Sequence, residues 1–227
     1  MNGMSPMRGV QPRAARSKAD ILDVATSEFA TNGYAGARVD AIAAHTRTTK
    51  RMIYYYFGSK ERLYLAVLER AYAQIRQVER EVRVDELAPA DALRRLAEAT
   101  YVHHTTHPDF MRLVAIENIH RAEHLIRSET IAAENATAVG PLERVLARGV
   151  AEGRFRDDVD AIDVHMMISA FACFHVANRY TFAAIFGRDL LEPELQEPHR
   201  RLIGDMIVAT VQAPRAGPPG RAPTSIG

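Results

Sequence analysis

The stretch that most constrains this chain covers residues 38–60, RVDAIAAHTRTTKRMIYYYFGSK. Val39, Ile42 and Ala43 follow the i, i+3, i+4 spacing of a helix face, which predicts a short helix over residues 39–45. A second helix is predicted over residues 49–57, and the few residues between them leave room only for a tight turn. Two helices joined by such a turn form the helix-turn-helix arrangement, whose second helix enters the major groove of DNA.

The side chains of the second helix fit that interpretation. Met52, Ile53 and either Tyr56 or Phe57 are spaced to face inward, which leaves cations and phenol hydroxyls for the outside. Ser59 is expected to cap the next helix, whose N-terminus would favour a phosphate. We predict groove contacts from Lys50, Arg51 and Tyr54 or Tyr55, phosphate contacts from Thr48, Thr49, Tyr56 and Lys60, and a further DNA contact from Arg38.

The alternative is a core role for the YYYF run, with the lysines on a solvated face. Three consecutive tyrosines cannot all point inward from one helix, so at least one hydroxyl must reach water or a ligand. Charge also favours DNA, although a skew of this size can arise by chance. Residues 1–60 hold nine Lys/Arg and four Asp/Glu, a net charge of +5, while the remaining residues carry −4. Basic groups neutralise phosphates and supply most non-specific affinity.

Residues 18–66 resemble the DNA-binding domain of the TetR family of bacterial transcriptional regulators. The matching segments are ILDVATSEFATNGYAGARVDAIAAHT and TTKRMIYYYFGSKERLYLAVL. They follow the family's alanine- and phenylalanine-containing first helix, its Asn-Gly-Tyr turn and its Tyr-x-x-Phe-x-Ser-Lys-Glu junction. Arg47 departs from the pattern, since many members place glycine there. A left-handed turn at Arg47 would be strained, because only glycine adopts that conformation freely.

Length and composition indicate where such a protein works. A chain of 227 residues with 47% hydrophobic content accommodates one small module and one medium domain with a core. The single cysteine, Cys173, excludes an intramolecular disulfide and favours a reducing compartment. The N-terminus lacks the apolar core of a signal peptide, and no run approaches membrane-spanning length. We therefore expect a soluble cytoplasmic protein with no membrane partner.

Helical periodicity predicts an all-α chain of about nine helices, arranged as a three-helix head on a six-helix body. We expect a disordered basic arm over residues 1–16, the DNA-binding head over 17–62, the effector-binding and dimerisation body over 63–212 and a disordered tail over 213–227. The predicted helices include a first over 18–31 that Asn-Gly ends, a long link over 59–84, a helix interrupted at Gly140-Pro141, a strongly apolar helix over 160–186 and a last helix over 198–211.

The resemblance implies more than the fold. It implies a homodimer that pairs the last two long helices of each subunit, binds double-stranded operator DNA and responds to a small-molecule effector. The effector would pull the long linking helix, and the family's usual mode favours a repressor; no cofactor is expected. The helix over residues 160–186 is apolar on most of its circumference, which favours a partner surface over a core helix in a monomer.

Polar side chains on otherwise apolar helices mark a candidate effector pocket. Glu117, Asn118, His120 and His124 would lie on one side and His175 and Asn178 on the other, with Phe110, Met111, Phe171 and Phe174 as walls. The competing interpretation makes each of these a hydrogen-bonded core residue or a dimer contact.

Metal binding, redox sensing and catalysis are less well supported by the sequence. His103 with His107, and Glu117 with His120 and His124, have the spacing of metal ligands, but nine histidines in a helical protein produce such pairs by chance. Cys173 lies in an apolar run without a second cysteine, which favours an inert thiol over a redox sensor. Motifs for nucleophilic or phosphate-binding enzymes are missing, which disfavours catalysis. An architectural or metal-responsive DNA-binding protein is the alternative.

Overall fold

The computed structural model describes residues 13–135 and 138–213. These residues form an all-α fold without a β-strand, with a single isolated bridge between Phe155 and Gln212, and this confirms the predicted fold class. The eleven α-helices of the described residues are α1 Arg13–Gly36, α2 Val39–His45, α3 Lys50–Phe57, α4 Lys60–Glu81, α5 Pro89–Thr106, α6 Pro108–Ile119, α7 Glu129–Asn135, α8 Gly140–Ala151, α9 Ala161–Ala177, α10 Arg179–Phe186 and α11 Pro193–Val211. Short 3-10 helices lie at Val84–Glu86 and Leu125–Arg127.

The predicted disordered ends fall mostly outside the described residues, which exclude 1–12 and 214–227. Residues 13–16 of the predicted arm are helical, because α1 begins at Arg13. At the other end, the backbone N–H of Ala213 donates to the carbonyl of Arg154 at 2.9 Å. Ordered structure therefore extends slightly beyond the predicted core at both ends.

Helix α1 braces the two helices that follow it. Ile21, Ala25 and Phe29 are fully buried, at the helical spacing that the sequence predicts. Gly33 interrupts α1 with φ 66° and ψ 173°, where the Asn-Gly pair predicts a stop. Glycine reaches positive φ without a steric penalty, so the chain turns here before a last short helical segment that ends at Gly36.

Helices α2 and α3 form the predicted helix-turn-helix. Before α2, Oε1 of Glu28 on α1 accepts from the backbone N–H of Arg38 at 2.9 Å. Two side chains cap the next helices: Oγ1 of Thr49 accepts from the N–H of Met52 at 3.3 Å and Oγ of Ser59 from that of Arg62 at 3.1 Å. Such caps contribute about 1 kcal/mol each. They set the starts of α3 and α4 from short-range sequence alone.

The turn between α2 and α3 is formed without strain at Arg47. Among the described residues, positive φ outside glycine occurs at Arg83, Arg121 and Ala122 only. Thr46 ends α2 in an extended conformation, with φ −108° and ψ 160°, and its N–H donates to the carbonyl of Ile42. The left-handed conformation considered for Arg47 is therefore not adopted, and glycine is not required there.

Head and body share one hydrophobic cluster. Leu113 of α6 and Ile131 of α7 are buried together with Phe29 of α1 and Tyr64 of α4. Helix α6 packs along α1 and α7 packs against α4, so the head meets the body through α4, α6 and α7. Any displacement of α6 must consequently repack the head.

The rest of the body surrounds α5. Helices α8, α9 and α11 pack against it, and the cluster they form includes Tyr101, Val145, Ile168 and Ile203. Helix α11 begins at Pro193, five residues before the predicted start, so that Pro198 lies inside the helix. The predicted break near Gly140-Pro141 falls between α7 and α8.

The single helix predicted over residues 160–186 is wrong, because two helices occupy this segment. Helix α9 ends at Ala177, Asn178 leaves the helical region with φ −102° and ψ 5°, and α10 continues at an angle of 68°. The guanidinium of Arg179 donates to both carboxylate oxygens of Asp189 and so fixes the start of α10. Among the described residues, no single helix has the length and apolar composition of a membrane span, although the bent pair α9 and α10 meets both criteria together.

Candidate functional site

The outward face of α3 carries the side chains that are available to DNA. Tyr55 is 77% exposed and Tyr54 39% exposed, while Ile53 on the opposite face is buried in the head. Arg51 is exposed as well, and within the described residues no hydrogen bond or ion pair engages its side chain. Helix α3 therefore presents the guanidinium of Arg51 and the phenols of Tyr54 and Tyr55 to a groove of DNA.

The two lysines beside α3 are already held by the head. Nζ of Lys50 lies 2.9 Å from Oδ2 of Asp40 on α2, and this hydrogen bond raises the pKa of Lys50. Nζ of Lys60 donates to the carbonyl of Ala35 at 3.3 Å and lies 5.0 Å from the centre of the Tyr34 ring. Asp40 was not considered in the sequence prediction, and a phosphate would have to compete with it for Lys50.

The remaining predicted DNA contacts surround the same helix. Arg38 and Thr49 are exposed, whereas Thr48 is half-buried. Tyr56 is also half-buried, with Nζ of Lys18 lying 5.6 Å from its ring centre. Lys18 is thus a further cation next to α3 that the sequence reasoning missed.

A cavity of about 170 Å³ lies between α4, α5, α6 and α9. Its apolar wall consists of Tyr72, Ile75, Phe110, Met111, Val114 and Cys173. Its polar groups are Arg76, Glu79, Thr100, His104, His165 and Ser169. A wider groove of about 410 Å³ lies between α4, α5 and α11, and two of its charged side chains, Arg200 and Glu98, bond each other. The smaller cavity is the better candidate for a ligand, because it brings buried polar groups into an apolar wall.

Arg76 and Glu79 stand one turn apart on α4 and are each 8% exposed. Nη1 of Arg76 lies 2.8 Å from Oε2 of Glu79, yet its N–H bonds are not aligned with the carboxylate. Within the described part of the chain, Nε and Nη1 of Arg76 make no hydrogen bond. Burial raises the pKa of Glu79 to about 7, against the opposing charges of Arg76 and Arg80.

The histidines near this pair are neutral at physiological pH. Burial, with smaller contributions from His103 and Arg76, lowers the pKa of His104 to about 3. Burial together with the charge of Arg76 also lowers the pKa of His165. The cavity therefore holds one permanent cation, Arg76, and one carboxyl group that titrates near pH 7.

Comparison with known proteins places both parts of the chain in one family. The family model "Bacterial regulatory proteins, tetR family" matches residues 21–67, and "Tetracyclin repressor-like, C-terminal domain" matches residues 89–207. The chain belongs to the TetR family. It is accordingly a helix-turn-helix DNA-binding transcriptional regulator, as its sequence motif predicts.

Individual relatives agree with this assignment. The transcriptional repressor NicS of Pseudomonas putida is 34% identical over 196 residues, which cover 86% of this chain and 92% of NicS. The repressor SCO4008 of Streptomyces coelicolor is 31% identical and aligns with 69% of this chain and 76% of its own length. Among solved structures, the transcriptional regulator SCO4942 of Streptomyces coelicolor has a TM-score of 0.66 and 28% identity, covering 86% of this chain and 98% of that one.

The residues that the sequence predicts for the effector pocket of this TetR protein do not converge. Phe110 and Met111 line the cavity. Asn118 and His120 are exposed at the end of α6, and Asn118 donates to the carbonyl of Val114 at 2.9 Å. These two polar side chains therefore point away from the cavity.

The other predicted pocket residues on α9 face different surroundings. Nε2 of His175 lies 3.2 Å from Nδ1 of His199 on α11, and the ring of Phe171 is tilted against that of His175 with 4.5 Å between ring centres. Phe174 is 46% exposed, and Asn178 forms the break before α10. The cavity is instead lined by Arg76, Glu79, His104 and His165, which sequence reasoning missed.

Glu117, predicted as a pocket residue, is instead a buried hydrogen-bond acceptor between head and body. Its Oε1 accepts from the hydroxyl of Tyr64 at 2.9 Å and lies 3.2 Å from Nδ1 of His124. Its Oε2 accepts from the backbone N–H groups of His124 and Leu125 at 3.2 and 3.0 Å. The carboxylate is therefore fully used in joining α4, α6 and the segment after α6.

The histidines considered as metal ligands and the thiol of Cys173 make packing contacts in the structure. His103 and His107 stack with ring centres 4.5 Å apart, and His120 is exposed away from Glu117 and His124. In the described ranges, no three His, Cys, Asp or Glu side chains converge as metal ligands. Burial raises the pKa of Cys173 to about 11, so its thiol stays protonated, 3.4 Å from Sδ of Met111.

Proposed function

We propose that this TetR-family protein is a homodimeric repressor that reads operator DNA with α3 and releases it when a small molecule enters the cavity between α4, α5, α6 and α9. The observation that carries the proposal is the course of α4. This helix starts directly after the recognition helix and places Arg76 and Glu79 in the cavity wall. At 1.5 Å per residue, Arg76 lies about 24 Å along the helix from Lys60.

A second helix supports the same coupling. The middle of α6 supplies Phe110, Met111 and Val114 to the cavity, while Leu113 and Glu117 of the same helix are buried against the head. A ligand that shifts α6 therefore acts on the head without an intermediate element. Since packed cores have discrete arrangements, small shifts at the cavity are converted into a different orientation of α3.

The DNA contacts follow from the exposed face of α3. Arg51 is placed to read base edges because no other described side chain competes for it, with Tyr54 and Tyr55 beside it. Lys50 and Lys60 are fixed at the edges of this face and suit phosphates, together with Thr48, Thr49, Tyr56 and the exposed Arg38. The relatives named as repressors support repression as the outcome. A regulator of bacterial operators acts in the cytoplasm, where we place this protein.

The dimer is proposed to form through α9 and α11. On α9, Ile162 and Met166 are exposed at 62% and 59%, and Phe174 continues the same i+4 row. On α11, Leu202 and Met206 are each 45% exposed with the same spacing. Two exposed apolar rows on adjacent helices suit a four-helix contact with a second copy. A dimer would set two α3 helices against half-sites roughly 34–36 Å apart.

Fluorescence anisotropy tests the DNA part of this proposal. The purified protein is titrated against the intergenic DNA upstream of its own gene and against a scrambled duplex, at two salt concentrations. We expect Arg51→Ala to weaken the upstream site by about tenfold or more while changing the scrambled duplex far less. Lys60→Ala should weaken both duplexes and reduce the salt slope by about one.

Arg154→Ala is the matched control for these variants. Arg154 is exposed in the body and pairs only with Glu152 in the described structure, so its removal should leave both affinities unchanged. Equal losses on the two duplexes for Arg51→Ala would refute a base-reading role for this residue. Equal binding of the wild-type protein to many operator-length fragments, with no preferred sequence, would refute the repressor proposal itself.

A further inference from the structure

We propose that the cavity between α4, α5, α6 and α9 takes a small molecule with a single carboxylate, which Arg76 holds. The inference rests on the proposed function, because it names the chemical class of the effector for that cavity. Arg76 is more than nine-tenths buried, and its Nε and Nη1 make no hydrogen bond among the described residues. Buried N–H groups without acceptors are costly, so a ligand that supplies an acceptor gains that energy.

The unpaired Nε of Arg76 belongs to the side of the guanidinium that binds carboxylates. On that side Nε–H and one N–H of Nη2 point in parallel and can bind the two oxygens of a carboxylate together, while Nη1 offers a separate donor. Glu79 does not satisfy them, since its Oε2 is 2.8 Å from Nη1 but outside the N–H direction. Arg76 lines the cavity, and a small rotation of its side chain would turn these enclosed N–H groups towards a ligand carboxylate without breaking an existing hydrogen bond of Nε or Nη1.

Charge in the cavity limits the ligand to one negative charge. Arg76 is the permanent cation, and the other groups that face Glu79 or line the cavity are neutral: His104, His165, Tyr72 and Cys173. Glu79 itself titrates near pH 7, with Arg80 as the remaining cation that acts on it. A monocarboxylate together with a protonated Glu79 balances Arg76, whereas a dianion would leave excess negative charge in a buried site.

The volume and the apolar lining of the cavity indicate the size and chemical character of the rest of the ligand. Its volume is about 170 Å³, and a cavity of about 150 Å³ accommodates benzene. The rings of Tyr72 and Phe110 meet edge to face at 5.4 Å beside Met111 and Val114, which favours an apolar or aromatic body. One ring, or a short alkyl chain, with one carboxylate fills this space.

Isothermal titration calorimetry on the full-length protein tests the inference with three acids and their neutral amides: benzoate, cyclohexanecarboxylate and hexanoate. Inorganic phosphate at pH 8, where it is mostly dianionic, serves as the dianionic probe. We expect at least one acid to bind about tenfold or more tightly than its amide, because a charge-assisted pair is lost in the amide. Phosphate should bind more weakly than that acid. Between pH 6 and pH 8 the affinity should fall by about tenfold as Glu79 loses its proton.

Substitutions at the ion pair give effects of opposite sign. Arg76→Gln should abolish the preference for acid over amide, and Arg76→Lys should retain part of it. Glu79→Gln should strengthen acid binding at pH 8 and remove its pH dependence, because no second carboxylate then repels the ligand. A purely structural pair would weaken binding in both variants. Thermal melting of each variant checks that it is folded, and Glu79→Gln keeps the test informative if Arg76→Gln does not fold.

Two outcomes overturn the inference: no acid binds more tightly than its amide, or phosphate binds more tightly than every acid. Anisotropy with operator DNA separates these results from a failure of the proposed function. A protein that binds its operator but shows no preference for acids refutes the carboxylate alone. An acid that binds through Arg76 without releasing operator DNA supports the site and refutes its role as the effector cavity.

Discussion

Tyr64→Phe removes one hydroxyl from the junction between head and body and is expected to destabilise the whole chain. Tyr64 is fully buried and donates to Oε1 of Glu117 at 2.9 Å, and Glu117 is 2% exposed. Burial and this hydrogen bond raise the pKa of Tyr64, so the phenol is a donor at every working pH. Glu117 keeps its contacts to His124 and Leu125 in the variant. A lost hydrogen bond to a charged group costs about 1.5–3 kcal/mol.

For a chain of this length that loss corresponds to a fall in melting temperature of roughly 3–12 °C. Urea unfolding at fixed protein concentration measures the free energy directly, since a dimer's stability depends on concentration. Tyr55→Phe is the control, because Tyr55 is 77% exposed and should change stability by less than about 0.5 kcal/mol. If Tyr64→Phe is as mild as this control, the Tyr64–Glu117 bond does not join head and body. Had Glu117 been an effector contact, Glu117→Gln would weaken ligand binding and spare stability; we expect the reverse.

Two further predictions concern the dimer and the response to acid. Met166→Glu places a charge in the proposed interface and should yield monomers in analytical ultracentrifugation. Ile126→Glu is the control, because Ile126 is 77% exposed outside the interface and its substitution should leave the dimer intact. A dimeric Met166→Glu variant would show that this face of α9 is not the dimer interface. Burial lowers the pKa of His104 to about 3, so its stabilising effect is complete above the unfolded value near 6.5 and is lost as pH falls towards 3. At pH 5 this loss is about 2 kcal/mol. His104→Gln should therefore make the melting temperature depend less on pH between pH 7 and pH 5. The same pH dependence in the variant and in the wild-type protein would contradict this prediction.

The predictions that succeeded depended on local signals. The start of α3 follows from the Thr49 cap and from the short turn after α2, which operate within a few residues of each other. The break at Asn178 carried a weaker signal, because neither glycine nor proline lies near it and only Asn178 and Arg179 interrupt the apolar run. The bond from Arg179 to Asp189 lies across a loop, and periodicity cannot detect it.

The residues predicted for an effector pocket lie apart in the structure for a related reason. Polar residues were selected by type on α6 and α9, although the direction of each side chain depends on which helix crosses which. Glu117 belongs to the head junction, and His175 to the contact with His199 on α11. Arg76 and Glu79 belong to a charged stretch of α4, yet both are buried, beside residues of α5, α6 and α9 that are distant in sequence.

The shared core of head and body restricts how a ligand can act. A head attached through α4 alone would swing as α4 tilts, and its own packing would be unchanged. Here Leu113 and Ile131 of the body are buried in the head cluster, and Glu117 bonds Tyr64 across the junction. Motion of α3 must therefore break or slide these contacts, which favours two discrete arrangements over a continuous swing. The strength of the Tyr64–Glu117 bond accordingly sets part of the energy difference between the two arrangements, and weakening it should alter ligand-induced release of DNA as well as stability.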